Sequence, residues 1–288
     1  MHGIDLHAHT TASDGQHSPA ELVRMAAEIG LAALAVTDHD TTAGLHEALA
    51  AGRACGVEVV PGIELSAEPP KGAQGGRGQC HILGLFVDPD NAALLDRLRN
   101  VIEQRNSRNA RIIERMRSEL HWDVTLEEVE AAAGGDVVAR PHFARVLVEK
   151  GLVCSVKEAF DVYLGKGGKA YMDRDRLTAE EAVRLIHGAG GAASLAHPNN
   201  LRLAEPDADA YISSLKDLGM DAIEARYNLH TAADTARYLA LARRLEMPTS
   251  GGSDFHGLAV KPAVRLGHVE GDRPAPAELL DGLRAALR

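Results

Sequence analysis

Histidines beside carboxylates are the residues of this sequence with the clearest chemical potential. Of 14 histidines, six fall at or directly after short apolar runs of strand length, mostly next to Asp or Glu: His7, His9, His39, His81, His197 and His256. Imidazole nitrogens and carboxylate oxygens are ligands for Zn²⁺, Mn²⁺ or Fe. The sequence therefore indicates a metal centre assembled from separate segments.

Spacing supports this interpretation. His7 and His9 form an HxH pair, and alternate residues of a strand point the same way, so both rings can bind one ion from one side. Each histidine taken alone is equally compatible with a hydrogen-bonded core residue. Their joint occurrence at strand ends favours metal ligation. The sequence contains no CxxC motif, so a cysteine-based structural zinc site is not expected. The segments are Asp5-Leu6-His7-Ala8-His9, Asp14, Thr37-Asp38-His39-Asp40, Gly62-Ile63-Glu64, Cys80-His81, Ala196-His197-Pro198 and Gly252-Ser253-Asp254-Phe255-His256.

The elements that must position these residues alternate between short apolar runs and longer segments of helical period. This alternation predicts βαβ units, and seven strand candidates favour a barrel over an open sheet. In such a barrel the carboxyl ends of all strands converge on one face, where dispersed ligands meet. The predicted strands are 4–6, 33–36, 57–60, 81–87, 192–195, 222–225 and 248–250.

The alternation stops between residues 91 and 176, where helix-like segments follow one another. We interpret this part as an inserted helical subdomain that acts as a substrate lid on a barrel formed by residues 1–90 and 177–288. Its first helix carries Arg105, Arg108, Arg111 and Arg115 on one face. This face is either a solvated surface or an anion-attracting part of the lid.

Composition limits the function classes. The chain has 288 residues and a net charge of −10, which argues against binding of long nucleic acid. No window holds 18 uncharged apolar residues, so we expect no membrane partner. The three widely spaced cysteines fit a reducing cytoplasm. Small anionic ligands remain compatible with locally focused positive charge.

The ordered segments DLHxH, SDG, TDHD, GIE, H, AHP and GSDxH resemble the polymerase and histidinol phosphatase (PHP) family. The resemblance extends from residue 1 to about residue 260. It implies an α/β fold, a distorted (β/α)7 TIM-like barrel, with two or three divalent metal ions at its C-terminal face. Mn²⁺ is the expected metal, with Zn²⁺ or Fe as alternatives.

The same resemblance implies the ligand sets. One ion would be bound by His7, His9, Glu64 and Asp254, with Glu64 as a bridge. A second ion would be bound by Asp14, His39 and His256. A third would be bound by Glu64, His81 and His197.

Two segments of the insert, Arg140-Pro141-His142-Phe143-Ala144 and Tyr163-Leu164-Gly165-Lys166-Gly167, resemble the stand-alone bacterial branch of the family. That branch acts on 3′,5′-bisphosphonucleotides and short oligoribonucleotides. The Arg140 guanidinium offers bidentate phosphate binding, and His142 can donate to a leaving oxygen. Lys166, Tyr227 and Asn228 are further substrate-binding candidates.

These observations predict a hydrolase acting on phosphate esters of small nucleotides. Two ions about 3.5–4 Å apart would hold a bridging hydroxide for in-line attack. Alternatives are another phosphomonoesterase such as a histidinol-phosphate phosphatase, a metal-dependent amidohydrolase, and a non-catalytic metal-binding PHP module. Many amidohydrolases bridge their metals through a carboxylated lysine, and none of the predicted strands carries a lysine.

Overall fold

The computed structural model describes residues 3–74, 78–133, 138–173 and 176–287. Within these residues seven strands form one sheet in sequential order, β1 to β7. The strands are β1 (Ile4–Ala8), β2 (Ala33–Val36), β3 (Glu58–Ala67), β4 (Cys80–Leu85), β5 (Ala192–Leu195), β6 (Ala222–Tyr227) and β7 (Thr249–Gly252). The helices are α1 (Pro19–Glu28), α2 (Leu45–Cys55), α3 (Ala92–Leu120), α4 (Leu126–Ala133), α5 (Arg140–Glu149), α6 (Val156–Glu158), α7 (Ala179–Gly188), α8 (Glu205–Asp217), α9 (Ala232–Arg244) and α10 (Leu279–Ala285).

The sheet closes into a distorted barrel, as predicted. The last strand, β7, lies beside β1, and the closure continues where Ala8 bridges to Phe255. The Asp254 amide donates to the His7 carbonyl at 2.8 Å. Closure therefore brings the GSDxH segment against the HxH segment, although almost the whole chain separates them.

Strand β4 differs from the expectation of uniformly parallel βαβ units. It pairs antiparallel with both β3 and β5, whereas the other neighbouring strands are parallel. The prediction that every strand delivers its ligand at its carboxyl end is therefore wrong for β4. His81 lies near the amino end of this strand, which faces the same side of the barrel because the strand is reversed.

Strand β3 is also longer than predicted, since it continues from Glu58 to Ala67 rather than ending at Val60. Glu64 consequently lies inside a strand, opposite Leu83 of β4. Gly62, within this strand, allows close packing. A Cβ at Gly62 would lie 2.8 Å from the Thr37 side chain.

Local capping explains where the barrel helices begin. Ser18 caps α1 and exchanges hydrogen bonds with Glu21, and Thr178 does the same with Glu181 at α7. Gly56 ends α2 in the left-handed conformation that favours glycine. The ends of these helices are therefore determined by local sequence.

The segment between β4 and α7 is helical in the part that the structure describes. Helix α3 is followed by α4, α5 and α6, and α6 continues as a π-helical turn over Ala159–Leu164. Apolar side chains of this segment form a cluster distinct from those of the barrel, with Phe143 and Leu147 fully buried. The boundaries at residues 91 and 176 remain a prediction.

None of the helices in the described residues is long and apolar enough to span a bilayer.

Candidate metal centre

The first group of candidate ligands meets around Glu64. Its Oε2 lies 3.3 Å from His7 Nε2 and 3.2 Å from His9 Nε2. The two ring nitrogens are 3.2 Å apart, and Asp254 Oδ1 lies 3.5 and 3.4 Å from them. All four side chains are buried. The four residues implied for the first ion therefore present donor atoms toward one point.

The second group places Asp14 between two histidines. Asp14 Oδ1 lies 3.3 Å from His256 Nε2, and Oδ2 lies 4.0 Å from His39 Nε2. His9 also belongs to this group, because its Nδ1 lies 3.7 Å from Asp14 Oδ1. His9 thus faces the first group with one nitrogen and the second with the other. Sequence reasoning gave His9 only to the first.

The third group uses the other oxygen of Glu64. Oε1 lies 3.0 Å from His81 Nδ1 and 2.9 Å from His197 Nε2. His39 reaches the same carboxylate, with Nδ1 3.0 Å from Oε2. Glu64 therefore directs one oxygen at each of two groups, which is the arrangement expected of a bridging ligand.

The backbone near these groups is strained or tightly packed. Asp254 and His197 adopt positive φ values of 57° and 26°, which are rare for residues other than glycine. A Cβ at Gly252 would lie 2.2 Å from His7 Cβ, and one at Gly15 would lie 2.4 Å from the His9 carbonyl oxygen. These two glycines allow the segments that carry the candidate ligands to approach one another.

Charges within the cluster shift its pKa values strongly. Burial disfavours the charged forms, but His39 and His7 outweigh it and hold the pKa of Glu64 well below its ordinary value. Conversely, Glu224 and Glu64 outweigh burial and raise the pKa of His7 well above its ordinary value. The carboxylates thus require nearby positive charge. A divalent ion can supply that charge in place of ring protons.

A further observation supports the fit of these donor atoms to divalent ions. Glu64 Oε2 and His9 Nδ1 are buried and form no hydrogen bond with the described residues. Buried polar atoms normally have a partner, and lone pairs aimed at a shared point are what a metal ion would occupy. Histidine nitrogens with carboxylate oxygens suit Mn²⁺, Fe or Zn²⁺.

Comparisons with known proteins agree with this geometry. The model of the PHP domain matches residues 5–97. The 5′-3′ exoribonuclease Rnm of Escherichia coli is 35% identical over 254 residues, which cover 88% of this chain and 84% of the relative. The chain belongs to the PHP family.

Two further similarities extend over most of the chain. A 3′,5′-nucleoside bisphosphate phosphatase of Chromobacterium violaceum is 34% identical over 266 residues, 89% of this chain and 88% of the relative. The crystal structure of a candidate metal-dependent phosphoesterase from Bifidobacterium adolescentis has a TM-score of 0.85 and 27% identity. It covers 100% of this chain and 97% of its own. The PHP resemblance, the barrel fold and the hydrolase class are thereby confirmed.

Several carboxylates support the candidate PHP ligands without belonging to the ligand groups. Glu224 accepts from His7 Nδ1 at 3.0 Å and from the His197 amide at 2.6 Å. Asp38 accepts from the Thr10 amide at 2.8 Å. Sequence analysis missed Glu224, although a carboxylate inside the apolar strand Ala222–Tyr227 is a usable signal.

Lys261 is a second residue that sequence analysis missed. Its ammonium donates to Asp254 Oδ2 at 2.6 Å, and Tyr227 donates to the same oxygen at 3.1 Å. Burial lowers the pKa of Lys261, but Asp254 outweighs it and raises the pKa above its ordinary value. Lys261 lies in an irregular segment after β7, where no periodicity identifies it.

The insert places His142 near this centre. His142 is 5% exposed, and its Nδ1 accepts from the Ala139 amide at 3.1 Å. Burial lowers its pKa to about 4 although Asp14 lies close enough to oppose the shift. The ring is therefore neutral near pH 7 and carries its proton on Nε2. That proton can be donated in a hydrogen bond.

Arg140 is held at the start of α5. Its guanidinium donates to the Leu164 carbonyl at 3.0 Å and lies 5.7 Å from the centre of the Tyr171 ring. Burial lowers its pKa, and the charges of Arg176 and Arg105 lower it further. Arg140 is thus one of several neighbouring cations, an arrangement that attracts an anion.

The other substrate candidates are placed differently. Tyr227 ends β6 and is buried against Asp254, whereas Asn228 is half-buried in the turn that follows. Lys166 is exposed after the π-helical turn. The structure thus places Tyr227 beside the candidate ligands and Lys166 in the insert.

Neither alternative for the arginine face of α3 describes it fully. Arg105 and Arg108 are 6% and 4% exposed, so they are not solvated surface residues. Arg115 pairs with Glu119 at 3.0 Å and is partly exposed, while Arg111 is exposed. The face passes from the protein interior to solvent within three helical turns.

Proposed function

We propose that this chain hydrolyses phosphate monoesters or diesters of small nucleotides, namely 3′,5′-bisphosphonucleotides or short oligoribonucleotides. The observation that carries the proposal is the convergence of nine histidine and carboxylate side chains at one end of the barrel, next to the arginines of α3 and Arg140. The nine are His7, His9, Asp14, His39, Glu64, His81, His197, Asp254 and His256. We assign them as ligands of two or three divalent ions, with Mn²⁺ as the metal.

Bound ions would activate water and neutralise charge on the reacting phosphate. The chain's own residues hold that reaction in place. Glu64 spans two ligand groups and fixes their separation. Hydrolysis forms a bond between phosphorus and a water oxygen and breaks the bond between phosphorus and the leaving oxygen. The leaving oxygen takes up a proton from solvent, which balances the proton that the attacking water loses. The neutral His142 ring donates a hydrogen bond from Nε2 to that oxygen as negative charge develops on it.

Arg140 positions the substrate. A planar guanidinium binds two phosphate oxygens at once, and its contacts with Leu164 and Tyr171 restrict its orientation. No step requires a protein nucleophile. We place the reaction in the cytoplasm, since the free thiols of Cys55, Cys80 and Cys154 suit a reducing compartment.

A phosphate-release screen tests the proposal. The protein is stripped with a chelator, reloaded with Mn²⁺, Zn²⁺ or Fe²⁺, and assayed with nucleoside bisphosphates, mononucleotides, 5′-phosphorylated trinucleotides, histidinol phosphate and a panel of amides. We expect turnover of the nucleotide substrates, greatest with Mn²⁺. His81→Ala should lose activity, whereas His46→Ala should not, because His46 is 65% exposed and pairs only with Asp90 among the described residues.

Other results would redirect the assignment. Turnover of amides alone would identify an amidohydrolase, and histidinol phosphate as the best substrate would identify a different phosphomonoesterase. Metal binding without any turnover would identify a non-catalytic module.

A further inference from the structure

A polar pocket of about 450 Å³ lies on the arginine face of α3 and is open to solvent. Four cationic side chains line it, against two acidic ones. The cations are Arg108, Arg111, Lys166 and Arg176, and the acids are Glu68 and Asp173. The lining is therefore net positive in a chain whose overall charge is −10. This pocket is separate from the ligand groups.

The pocket lies farther from the metal centre along two elements, α3 and β3. Arg105 contacts Asp40 beside the ligand His39. At 1.5 Å per residue, Arg108 and Arg111 lie about 4.5 and 9 Å farther along α3. On β3, Glu68 follows Glu64 by four residues, about 13 Å in extended chain. The pocket thus begins within about two helical turns of the candidate ligands.

Further arginines lie between the metal centre and the pocket. Arg140 lies near enough to both Arg105 and Arg176 for their charges to lower its pKa. Arg105 in turn pairs with Asp40 beside His39, and Arg176 lines the pocket. An anion bound at Arg140 therefore has a further cation near it, Arg176, which lines the pocket.

We propose that this pocket binds a backbone phosphate of an oligoribonucleotide, beyond the nucleotide whose phosphate reacts at the metal centre. The inference rests on the proposed function and predicts that substrates long enough to reach the pocket bind more tightly. A mononucleotide bisphosphate ends before the pocket, whereas a trinucleotide reaches it.

The lining also indicates what the pocket recognises. Its described residues include no aromatic side chain, so no stacking platform for a base is present among them. Gln104 and Ser107 add hydrogen-bonding groups next to the cations. Charge and hydrogen bonds of this kind contact phosphate and ribose rather than base edges. The pocket therefore favours chain length without base preference.

Arg111 is the residue through which to test this site. It is exposed and forms no hydrogen bond or ion pair with any residue that the structure describes, so its replacement should leave the fold intact. Arg176, by contrast, pairs with Asp173 at 3.1 Å. Arg117 lies on the same helix, is exposed, and does not line the pocket. Arg117→Glu is therefore a matched control with the same change of charge.

The experiment compares two substrates of the Mn²⁺-loaded protein, a 5′-phosphorylated trinucleotide and a nucleoside 3′,5′-bisphosphate. The measured quantity is kcat/KM for the trinucleotide divided by kcat/KM for the bisphosphate. Loss of one charge-assisted contact corresponds to about tenfold in affinity. Arg111→Glu should lower the ratio by about tenfold through the KM of the trinucleotide, and Arg111→Gln should lower it less. Arg117→Glu should leave it at the wild-type value.

Salt provides a second measurement. Because Arg111 is exposed, added salt shortens the Debye length and screens its charge. The difference in this kcat/KM ratio between wild type and Arg111→Glu should therefore shrink as salt is raised from about 50 to about 500 mM. An unchanged ratio in Arg111→Glu would overturn the proposal, and so would an equal fall for Arg117→Glu. Equal losses on both substrates would also overturn it, since Arg111 would then act at the first nucleotide. If wild type cleaved neither substrate, the proposed function itself would fail.

Discussion

Arg105 of α3 forms a buried ion pair with Asp40, the residue that follows the candidate ligand His39. The Nε atom donates to Asp40 Oδ2 at 3.1 Å, and the guanidinium also contacts Ser66 Oγ at 3.2 Å. The Ser66 amide donates to Asp40 Oδ1 at 2.8 Å, and the Asp40 amide donates to the Glu64 carbonyl at 3.0 Å. One arginine thus joins the insert to the two segments that carry His39 and Glu64.

We expect Arg105→Met to be strongly destabilising. Removing one partner of a buried pair leaves an uncompensated charge, which costs about 3–5 kcal/mol in free energy of unfolding. Arg115→Met on the same helix is the control, because the pair with Glu119 is partly exposed and such pairs contribute about 0–1 kcal/mol. Urea unfolding measures both. Equal small losses in the two variants would show that the Asp40 pair contributes no more than a surface pair.

The sequence predicted the seven strands because most of them leave a local signal, and the candidate ligands were chosen by their positions relative to those strands. Six strands contain apolar runs, whereas β7 has the sequence Thr-Ser-Gly-Gly. The candidate ligands other than Asp14 stand in a strand or within a few residues of its end. The direction of β4 left no such signal, because strand pairing depends on residues distant in sequence. Its consequence for the site was small, since reversal of the strand still brings His81 to Glu64.

Residues that act through other residues were harder to predict. Arg105 was placed on the correct helix face, but its burial depends on Asp40, which is 65 positions away. Lys261 lies in an irregular segment and contacts Asp254 only because the chain turns back after β7. Neither contact follows from helical or strand periodicity.

Glu64→Gln tests the bridging assignment. A neutral amide cannot supply two anionic oxygens to neighbouring ions, so bound metal should fall below the wild-type amount. Phosphatase activity should be abolished with it. Elemental analysis and one rate assay measure the two quantities. Unchanged metal content with full turnover would exclude Glu64 as a bridge.

Glu224→Gln tests how His7 is oriented. Glu224 accepts from His7 Nδ1, which leaves Nε2 directed at Glu64 and Asp254. Loss of an outer carboxylate of this kind typically costs about 10–100-fold in metal affinity. We expect a loss of that size in a titration with Mn²⁺, with activity recovered at high metal concentration. Asp221→Asn is the control, since Asp221 pairs with the distant His187 at 2.7 Å. Equal affinities of Glu224→Gln and wild type would contradict the orienting role.

Substrate length should affect turnover in a way that follows from charge. The acidic body of the protein repels long polyanions, whereas the cations of the insert attract short ones. We expect bisphosphonucleotides and oligomers of a few residues to be cleaved with higher kcat/KM than long structured RNA. The measurement is a series of 5′-phosphorylated RNAs of increasing length at fixed salt. Equal or greater kcat/KM on long RNA would reverse this interpretation.

Arg140→Ala separates phosphate binding from metal binding. Arg140 contacts Leu164 and Tyr171 rather than any candidate ligand, so the variant should retain its metal and lose activity. If Arg140 holds a phosphate that is not attacked, KM rises while kcat stays nearly constant, because ground state and transition state are bound equally. A fall in kcat at unchanged KM would instead place it at the reacting phosphate.

The comparison of a bisphosphate with a monophosphate substrate decides which phosphate Arg140 binds. A contact with the second phosphate predicts a large loss for the bisphosphate and little for the monophosphate. Arg140→Lys should restore little, because a point charge does not reproduce bidentate geometry. Elemental analysis of Arg140→Ala checks that the metal is retained. Wild-type kinetics of Arg140→Ala on both substrates would leave Arg140 only its contacts within the insert, since a cation that binds substrate phosphate cannot be removed without a change in KM or kcat.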